Sequence, residues 1–207
     1  GKTRWLENLC ASLQAAGTCV AGVVAPGQWA PRPEGQPGGK HGFDGTGRFE
    51  KLGIDNVLLP QGTRIEFARR RDLAAKSEAF TEGTQAKAAK LGWAISDTAI
   101  AQVNAHFAAL AKQAANETRL APHAVLVVDE LGRLELLRGC GLTNALAILD
   151  AGPTPQFPHA IAVVRETLLN EARRRFEPRW GKATVIGPDD AARNLVLETA
   201  RAAGGTH

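Results

Sequence analysis

Val125-Leu126-Val127-Val128-Asp129-Glu130-Leu131-Gly132-Arg133-Leu134-Glu135-Leu136 is the most informative stretch of this 207-residue chain. Its first four residues are apolar and three of them are β-branched, which predicts a parallel strand buried on both faces. Ligands of open α/β sheets bind where parallel strands end. The carboxylate pair Asp129 and Glu130 stands at that place and can orient a hydrated Mg²⁺ and activate a water molecule. A buried strand that exits into a solvated acidic turn would have the same pattern.

A second informative stretch opens the chain. Gly1-Lys2-Thr3 stand before a predicted helix, in which Leu6, Leu9, Cys10 and Leu13 share one face. The same three residues end the phosphate-binding motif G-x-x-x-x-G-K-[ST]. In that motif, backbone amides surround phosphate oxygens, the Lys binds the β- and γ-phosphates, and the Thr hydroxyl binds Mg²⁺. The tripeptide gains its weight from the helix behind it and from the acidic strand end downstream.

The strand and the first part of the loop that normally precede this motif are not in the sequence, which contains no Met. By comparison with an ordinary strand-plus-loop unit, we expect roughly 10–20 further residues ahead of Gly1 in the gene product. That strand is expected to be central in the sheet. We therefore expect residues 1–207 alone to bind and hydrolyse nucleotide poorly.

The chain resembles the nucleoside-triphosphatase family first described from thermophiles, a branch of the P-loop NTPases that includes a human cancer-related nucleoside-triphosphatase. The residues that carry the resemblance are the opening Gly-Lys-Thr helix, Gly42-Phe43-Asp44 and the DELGRLEL run at residues 129–136. Family members typically have Met where this chain has Leu134, a change that conserves volume. The resemblance extends from residue 1 to about residue 187.

The resemblance implies a three-layer α/β/α fold, in which a mainly parallel sheet has the strand order 5-1-4-3-2 and its first strand precedes Gly1. Residues 1–207 would form one domain. Apolar runs predict the remaining strands, at residues 20–25, 125–128, 160–164 and 183–186, with helices between and after them. An insertion within residues 27–95 would contain a Gly/Pro-rich loop or lid at 27–47 and a β-hairpin outside the main sheet, formed by 56–60 and 64–68.

The motifs and the resemblance together predict Mg²⁺-dependent hydrolysis of a nucleoside triphosphate, ATP or GTP, to the diphosphate and phosphate. The residues predicted to bind nucleotide are Gly1, Lys2, Thr3 and Arg4. Thr3 and Asp129 would hold the Mg²⁺ cofactor. Lys2 would neutralise phosphate charge, and Glu130 would orient or deprotonate the attacking water. Arg165, directly after a predicted strand, would reach the γ-phosphate.

Several of these residues have an alternative structural explanation. Arg165 can be an ordinary surface residue, and Glu135 can cap the turn that follows the strand. The triplet at residues 69–71 can protect a sheet edge or can face phosphate. His41, His106, His123 and His159 are scattered and are not predicted to be ligands.

Composition sets limits on the function. A length of 207 residues with 44% hydrophobic residues fits one α/β domain. The net charge of +4 is too small to indicate nucleic-acid binding, for which only the Arg triplets at 69–71 and 173–175 argue. An apolar run of about 18 residues is absent, so no membrane span is expected. Cys10, Cys19 and Cys140 form no metal-binding pattern, which favours free thiols and a cytoplasmic location.

Two further functions stay open at this point. A nucleotide or small-molecule kinase would use the same phosphate-binding residues and would need a pocket for the acceptor. A nucleotide-binding accessory or switch protein would turn over little, and its 27–47 loop would then order against a protein partner.

Overall fold

The computed structural model describes residues 1–32, 48–76, 80–85, 92–115 and 124–204. They form an α/β fold in which helices pack on a mixed sheet. The strands are β1 (Cys19–Val24), β2 (Gly27–Pro31), β3 (Phe49–Leu59), β4 (Thr63–Arg70), β5 (Trp93–Ile95), β6 (Ala124–Leu131) and β7 (His159–Val164). The helices are α1 (Lys2–Ala15), α2 (Arg71–Ala74), α3 (Asp97–Ala115), α4 (Arg133–Arg138), α5 (Thr143–Ala151), α6 (Leu169–Trp180) and α7 (Asp190–Gly204), and a 3-10 turn (Glu166–Leu168) precedes α6.

Strand β6 confirms the prediction made from the apolar run, because its side chains enter two different cores. Leu126 and Val128 belong to the core that includes residues of α3 and α5, whereas Val125 and Val127 belong to the core on α1. None of the four is more than 3% exposed. Burial of such a side chain contributes about 1.5–3 kcal/mol, so β6 anchors the helical layers on both faces of the sheet.

The sheet is mixed, with the order β5-β4-β3-β1-β6-β7 and with β2 paired to β3. The β1–β6 and β6–β7 pairs are parallel, and all other pairs among the described strands are antiparallel. The expectation of a mainly parallel sheet is therefore wrong for these residues. The predicted hairpin exists as β3–β4, but it continues the main sheet because β3 pairs with β1. Because β3 pairs with β1, its residues Val57 and Leu59 pack against the core on α1.

The predicted loop at 27–47 begins instead with a strand. Gly27–Pro31 pairs with the long strand β3. The Gly- and Pro-containing sequence of β2 does not predict this strand, because the strand depends on pairing with the backbone edge of β3. Residues 33–47, which include His41 and Gly42-Phe43-Asp44, lie outside the described residues. The lid prediction for this segment stays a prediction.

Residues 183–186 do not form the predicted strand. A strand needs a hydrogen-bonded neighbour, and a groove separates these residues from β7, the strand on the other side of that groove. Val185 is consequently 58% exposed, despite an apolar sequence that would suit a buried strand.

The predicted helices are largely confirmed. In α3 the predicted inward residues Ile100, Val103, Phe107 and Leu110 are all buried. Ser96 caps this helix, because its Oγ accepts a hydrogen bond from the Ala99 N–H at 3.2 Å. No helix among the described residues is long and apolar enough to cross a membrane. All three cysteines are free thiols.

Gly22 makes the close approach of β1 to β6 feasible. Its φ is +121°, and a Cβ at this position would lie 2.0 Å from the backbone oxygen of Val127.

We expect Gly22→Ala to lower the free energy of unfolding by about 2–6 kcal/mol, since backbone strain and steric overlap each cost about 1–3 kcal/mol. Urea unfolding measures the change. Gly17→Ala is the matched control, because Gly17 has a φ of +82° but open space around it; an equal loss in both variants would contradict the steric explanation.

Candidate functional site

The head of α1 and the carboxyl end of β6 meet at Asp129. The Asp129 carboxylate accepts a hydrogen bond from the Ala25 N–H, at 3.0 Å from Oδ2, and the Thr3 hydroxyl lies near enough to help stabilise its ionised form. Asp129 is only 2% exposed. The two stretches that the sequence singled out are therefore close to each other, although they lie at opposite parts of the chain.

The ionised form of the buried Asp129 carboxylate is destabilised by its surroundings. Burial raises its pKa, the Ala25 N–H and the Thr3 hydroxyl oppose that shift, and the charge of Glu130 adds to it. A cation bound beside the carboxylate would stabilise its ionised form.

Mg²⁺ takes oxygen ligands and commonly completes its shell with water and substrate phosphates. A hydroxyl and a carboxylate oxygen already lie side by side in Thr3 and Asp129, so these two residues fit the role of magnesium ligands. Among the described residues, no three His, Cys, Asp or Glu side chains form a metal-binding group by themselves.

Three further predicted residues lie around this contact. Arg165 follows β7 directly, and its Nε donates to Oε1 of Glu130 at 2.7 Å. The Lys2 ammonium donates to the backbone oxygen of Val164, the last residue of β7, at 3.4 Å. Parallel pairing of β6 and β7 brings these groups to one edge of the sheet, with the N-terminal end of α1.

Gly1 and Arg4 also lie at the N-terminal end of α1, but they take no part in the contacts around Asp129 and Glu130. Both are exposed. Among the described residues, Arg4 has no hydrogen bond or ion pair with Asp129 or Glu130. Its assignment to nucleotide binding stays a prediction.

Glu135 has the structural role that the sequence left open as an alternative. Its Oε2 accepts a hydrogen bond from the Gly132 N–H at 2.9 Å, and its Oε1 accepts one from the Leu142 N–H at 3.1 Å. Both oxygens thus bind backbone amides at the two ends of the α4 segment. Burial raises the pKa of this carboxyl, and the two amide bonds oppose that shift.

We expect Glu135→Gln to lower the free energy of unfolding by about 1–3 kcal/mol, because the amide can accept only one of the two N–H bonds and leaves a buried donor unpaired. Chemical unfolding measures the loss. The control is Glu198→Gln at an exposed position of α7, which should change little. Full stability of Glu135→Gln combined with lost activity would contradict the structural role.

Both Arg triplets are engaged in ion pairs. The pairs are Arg69–Glu66, Arg70–Glu50, Arg70–Asp72, Arg71–Glu82, Arg173–Glu177, Arg174–Glu171 and Arg175–Asp150. Because each guanidinium already binds a carboxylate of this chain, the triplets lend little support to a phosphate-facing or nucleic-acid-binding role.

An apolar groove runs along the free edge of β7, beside the cluster at Asp129. Its cavity volume is about 480 Å³, and β7 and residues 183–187 line it together with Trp5, Phe176 and Trp180. Among the described strands, β7 pairs with β6 alone. The opposite edge of β7 therefore offers its backbone N–H and C=O groups to the groove.

The groove leaves apolar side chains partly uncovered. The sequence HAIAVV of β7 suits a central strand, but no residue of β7 is fully buried. Leu195, 45% exposed, and Val185 also line the groove. Lys2 lines the groove as well and binds the carbonyl at the end of β7, so the groove leads to the beginning of α1.

No sequence motif points to Lys51, which the structure also places near the acidic strand end. The negative charges of Glu130 and Asp129 act on its ammonium. This proximity depends on the pairing of β3 with β1, which is not predictable from the residues around Lys51.

No protein-family model matches this chain, and neither does any curated protein or solved structure.

Proposed function

We propose that this protein hydrolyses a nucleoside triphosphate, ATP or GTP, to the diphosphate and phosphate with the help of Mg²⁺. The observation that carries the proposal is the proximity of the Thr3 hydroxyl to the Asp129 carboxylate. It joins the phosphate-motif tripeptide to the acidic strand end, the two parts that such a site requires.

The substrate would bind at the start of α1. The helix N-terminus and the Lys2 ammonium both favour anionic phosphate groups there. Thr3 and Asp129 would hold Mg²⁺, which supplies positive charge that neutralises the phosphate oxygens. Arg4 would contribute a further contact to the nucleotide from the exposed first turn of α1.

Glu130 would act on the attacking water, as an acceptor of its proton or as a group that orients it. Its side chain is 33% exposed, so water can reach it, whereas Asp129 is buried. In this structure Arg165 holds Glu130. A bound phosphate gives Arg165 a second anionic partner at the same edge, and the arginine would then stabilise charge on the transferred phosphoryl group.

The proposal extends to the fold, a P-loop NTPase with the strand order 5-1-4-3-2. In that order β1, β6 and β7 would be strands 2, 3 and 4, and the adjacency of these three strands in the sheet supports the proposal. The groove beside β7 is the place that strand 1 of this order would take. A strand parallel to β7 would end where Lys2 binds Val164, which allows it to continue into α1.

A phosphate-release assay on the full-length gene product tests the proposed function. We expect release from at least one of ATP, GTP, CTP and UTP in the presence of Mg²⁺ and none after chelation with EDTA. Transfer of phosphate to an added nucleoside or nucleotide, with little free phosphate, would replace the proposal by a kinase. Tight Mg²⁺-nucleotide binding without release would replace it by a switch or accessory protein.

A further inference from the structure

The half-buried Lys51 ammonium lies near two indole rings. It lies on β3 opposite Trp29 of β2. Its ammonium is 6.0 Å from the ring centroid of Trp29 and 5.7 Å from that of Trp93 on β5. Indole faces attract cations at such distances, so the two rings favour this position of the ammonium.

The lysine side chain extends toward the end of β1 across Gly27. Its Cε lies 2.6 Å from the position that a Cβ on Gly27 would take. Gly27 follows Ala25 by two residues, and the Ala25 N–H binds Asp129. A residue with a side chain at position 27 would therefore push the lysine away from the acidic strand end.

The ammonium has electrostatic partners but no hydrogen-bond acceptor among the described residues. The negative charges of Glu130 and Asp129 attract it, and the charge of Arg165 opposes them. In the part of the chain that the structure describes, Lys51 has no hydrogen bond and no ion pair. Burial lowers its pKa, and the two carboxylates oppose that shift. An ammonium carries three donors, and leaving them unpaired away from water is unfavourable.

We propose that Lys51 binds the polyphosphate part of the substrate from the β3 side of the site. The inference rests on the proposed function, because it assumes an anionic substrate at the head of α1. In the sheet order, β3 lies beyond β1 and β7 lies beyond β6, so Lys51 and Lys2 approach the acidic strand end from opposite sides. Phosphate oxygens supply the acceptors that Lys51 lacks, and a charge-assisted bond of this kind is among the strong ones.

The test measures binding of inorganic tripolyphosphate with Mg²⁺ to the full-length gene product. Lys51→Met keeps the length and the apolar stem but removes the charge, and we expect it to weaken binding by about 10-fold or more. Lys51→Arg should retain most of the affinity. Lys112→Met, at an exposed position of α3, is the control and should bind like the wild type.

The outcomes separate this inference from the proposed function. Equal binding of tripolyphosphate by the wild type and Lys51→Met would overturn the role of Lys51 and leave the proposed function intact. Failure of the wild type to bind tripolyphosphate or any nucleoside triphosphate would overturn both.

Gly27→Ala is the second variant, because it retains the lysine but displaces its Cε together with the Trp29 indole, whose Nε1 also lies 2.6 Å from the added Cβ. We expect it to weaken tripolyphosphate binding as well. If Lys51→Met does not fold, unchanged binding by Gly27→Ala would overturn the role of Lys51.

Discussion

Replacing Glu130 by Gln in the full-length protein should lower the turnover number for phosphate release by about 10²-fold or more. Gln is nearly isosteric with Glu but cannot accept a proton from the attacking water. Affinity for the Mg²⁺-nucleotide complex should survive, because Lys2, Thr3 and Asp129 remain. Steady-state phosphate release and equilibrium binding of a non-hydrolysable triphosphate measure the two quantities separately.

Glu166→Gln is the matched control for this prediction. Glu166 is an exposed glutamate one residue after Arg165, so it lies near the same edge of the sheet. Its replacement should leave turnover unchanged. Unchanged turnover in Glu130→Gln would remove Glu130 from the role of base and would favour the solvated acidic turn that the sequence pattern also allows.

A protein in which a strand and the rest of the phosphate loop precede Gly1 should bind a non-hydrolysable triphosphate with Mg²⁺ at least 100-fold more tightly than residues 1–207 alone, roughly 2.7 kcal/mol. The proposed strand ahead of Gly1 would fill the groove beside β7 and would aim Lys2 and Thr3 at the phosphates. The loop after that strand would add backbone amides around the phosphate oxygens. Calorimetric titration of both proteins measures the difference.

Hydrogen exchange gives an independent readout of the same strand. The amides of β7 that face the groove should exchange slowly only in the full-length protein, since a parallel neighbour would pair with them. Trp5 and Trp180 line the groove, so their fluorescence should also differ between the two proteins. Equal affinities in the titration would mean that the phosphate site lies elsewhere, and the assignment of Gly1-Lys2-Thr3 would have to be abandoned.

Local sequence patterns predicted the elements that form the candidate site. The apolar run before Asp129 predicted β6, because a strand buried on both faces needs apolar residues at every position. The spacing of Leu6, Leu9 and Leu13 predicted α1, and all three are fully buried. The proximity of Thr3 and Asp129 was expected from motif chemistry, since in P-loop proteins both motifs bind the same phosphate-bound ion.

Strand pairing was the part that local patterns did not predict. Three of the four residues 183–186 are β-branched, yet they form no strand because no neighbour among the described residues pairs with them. The hairpin β3–β4 was predicted, but its attachment to β1 depends on backbone edges far apart in the chain. Lys51 reaches the site only through that attachment, so no pattern near residue 51 could indicate its position.

The central claim is that Thr3 and Asp129 form one Mg²⁺ site for a bound triphosphate. The most direct test is the gain in affinity for a non-hydrolysable triphosphate that Mg²⁺ produces in the full-length wild type, Thr3→Val, Asp129→Asn and the double variant. We predict a gain of about 10-fold or more in the wild type, loss of most of that gain in each single variant, and no further loss in the double variant. A gain that persists undiminished in Asp129→Asn would contradict the claim.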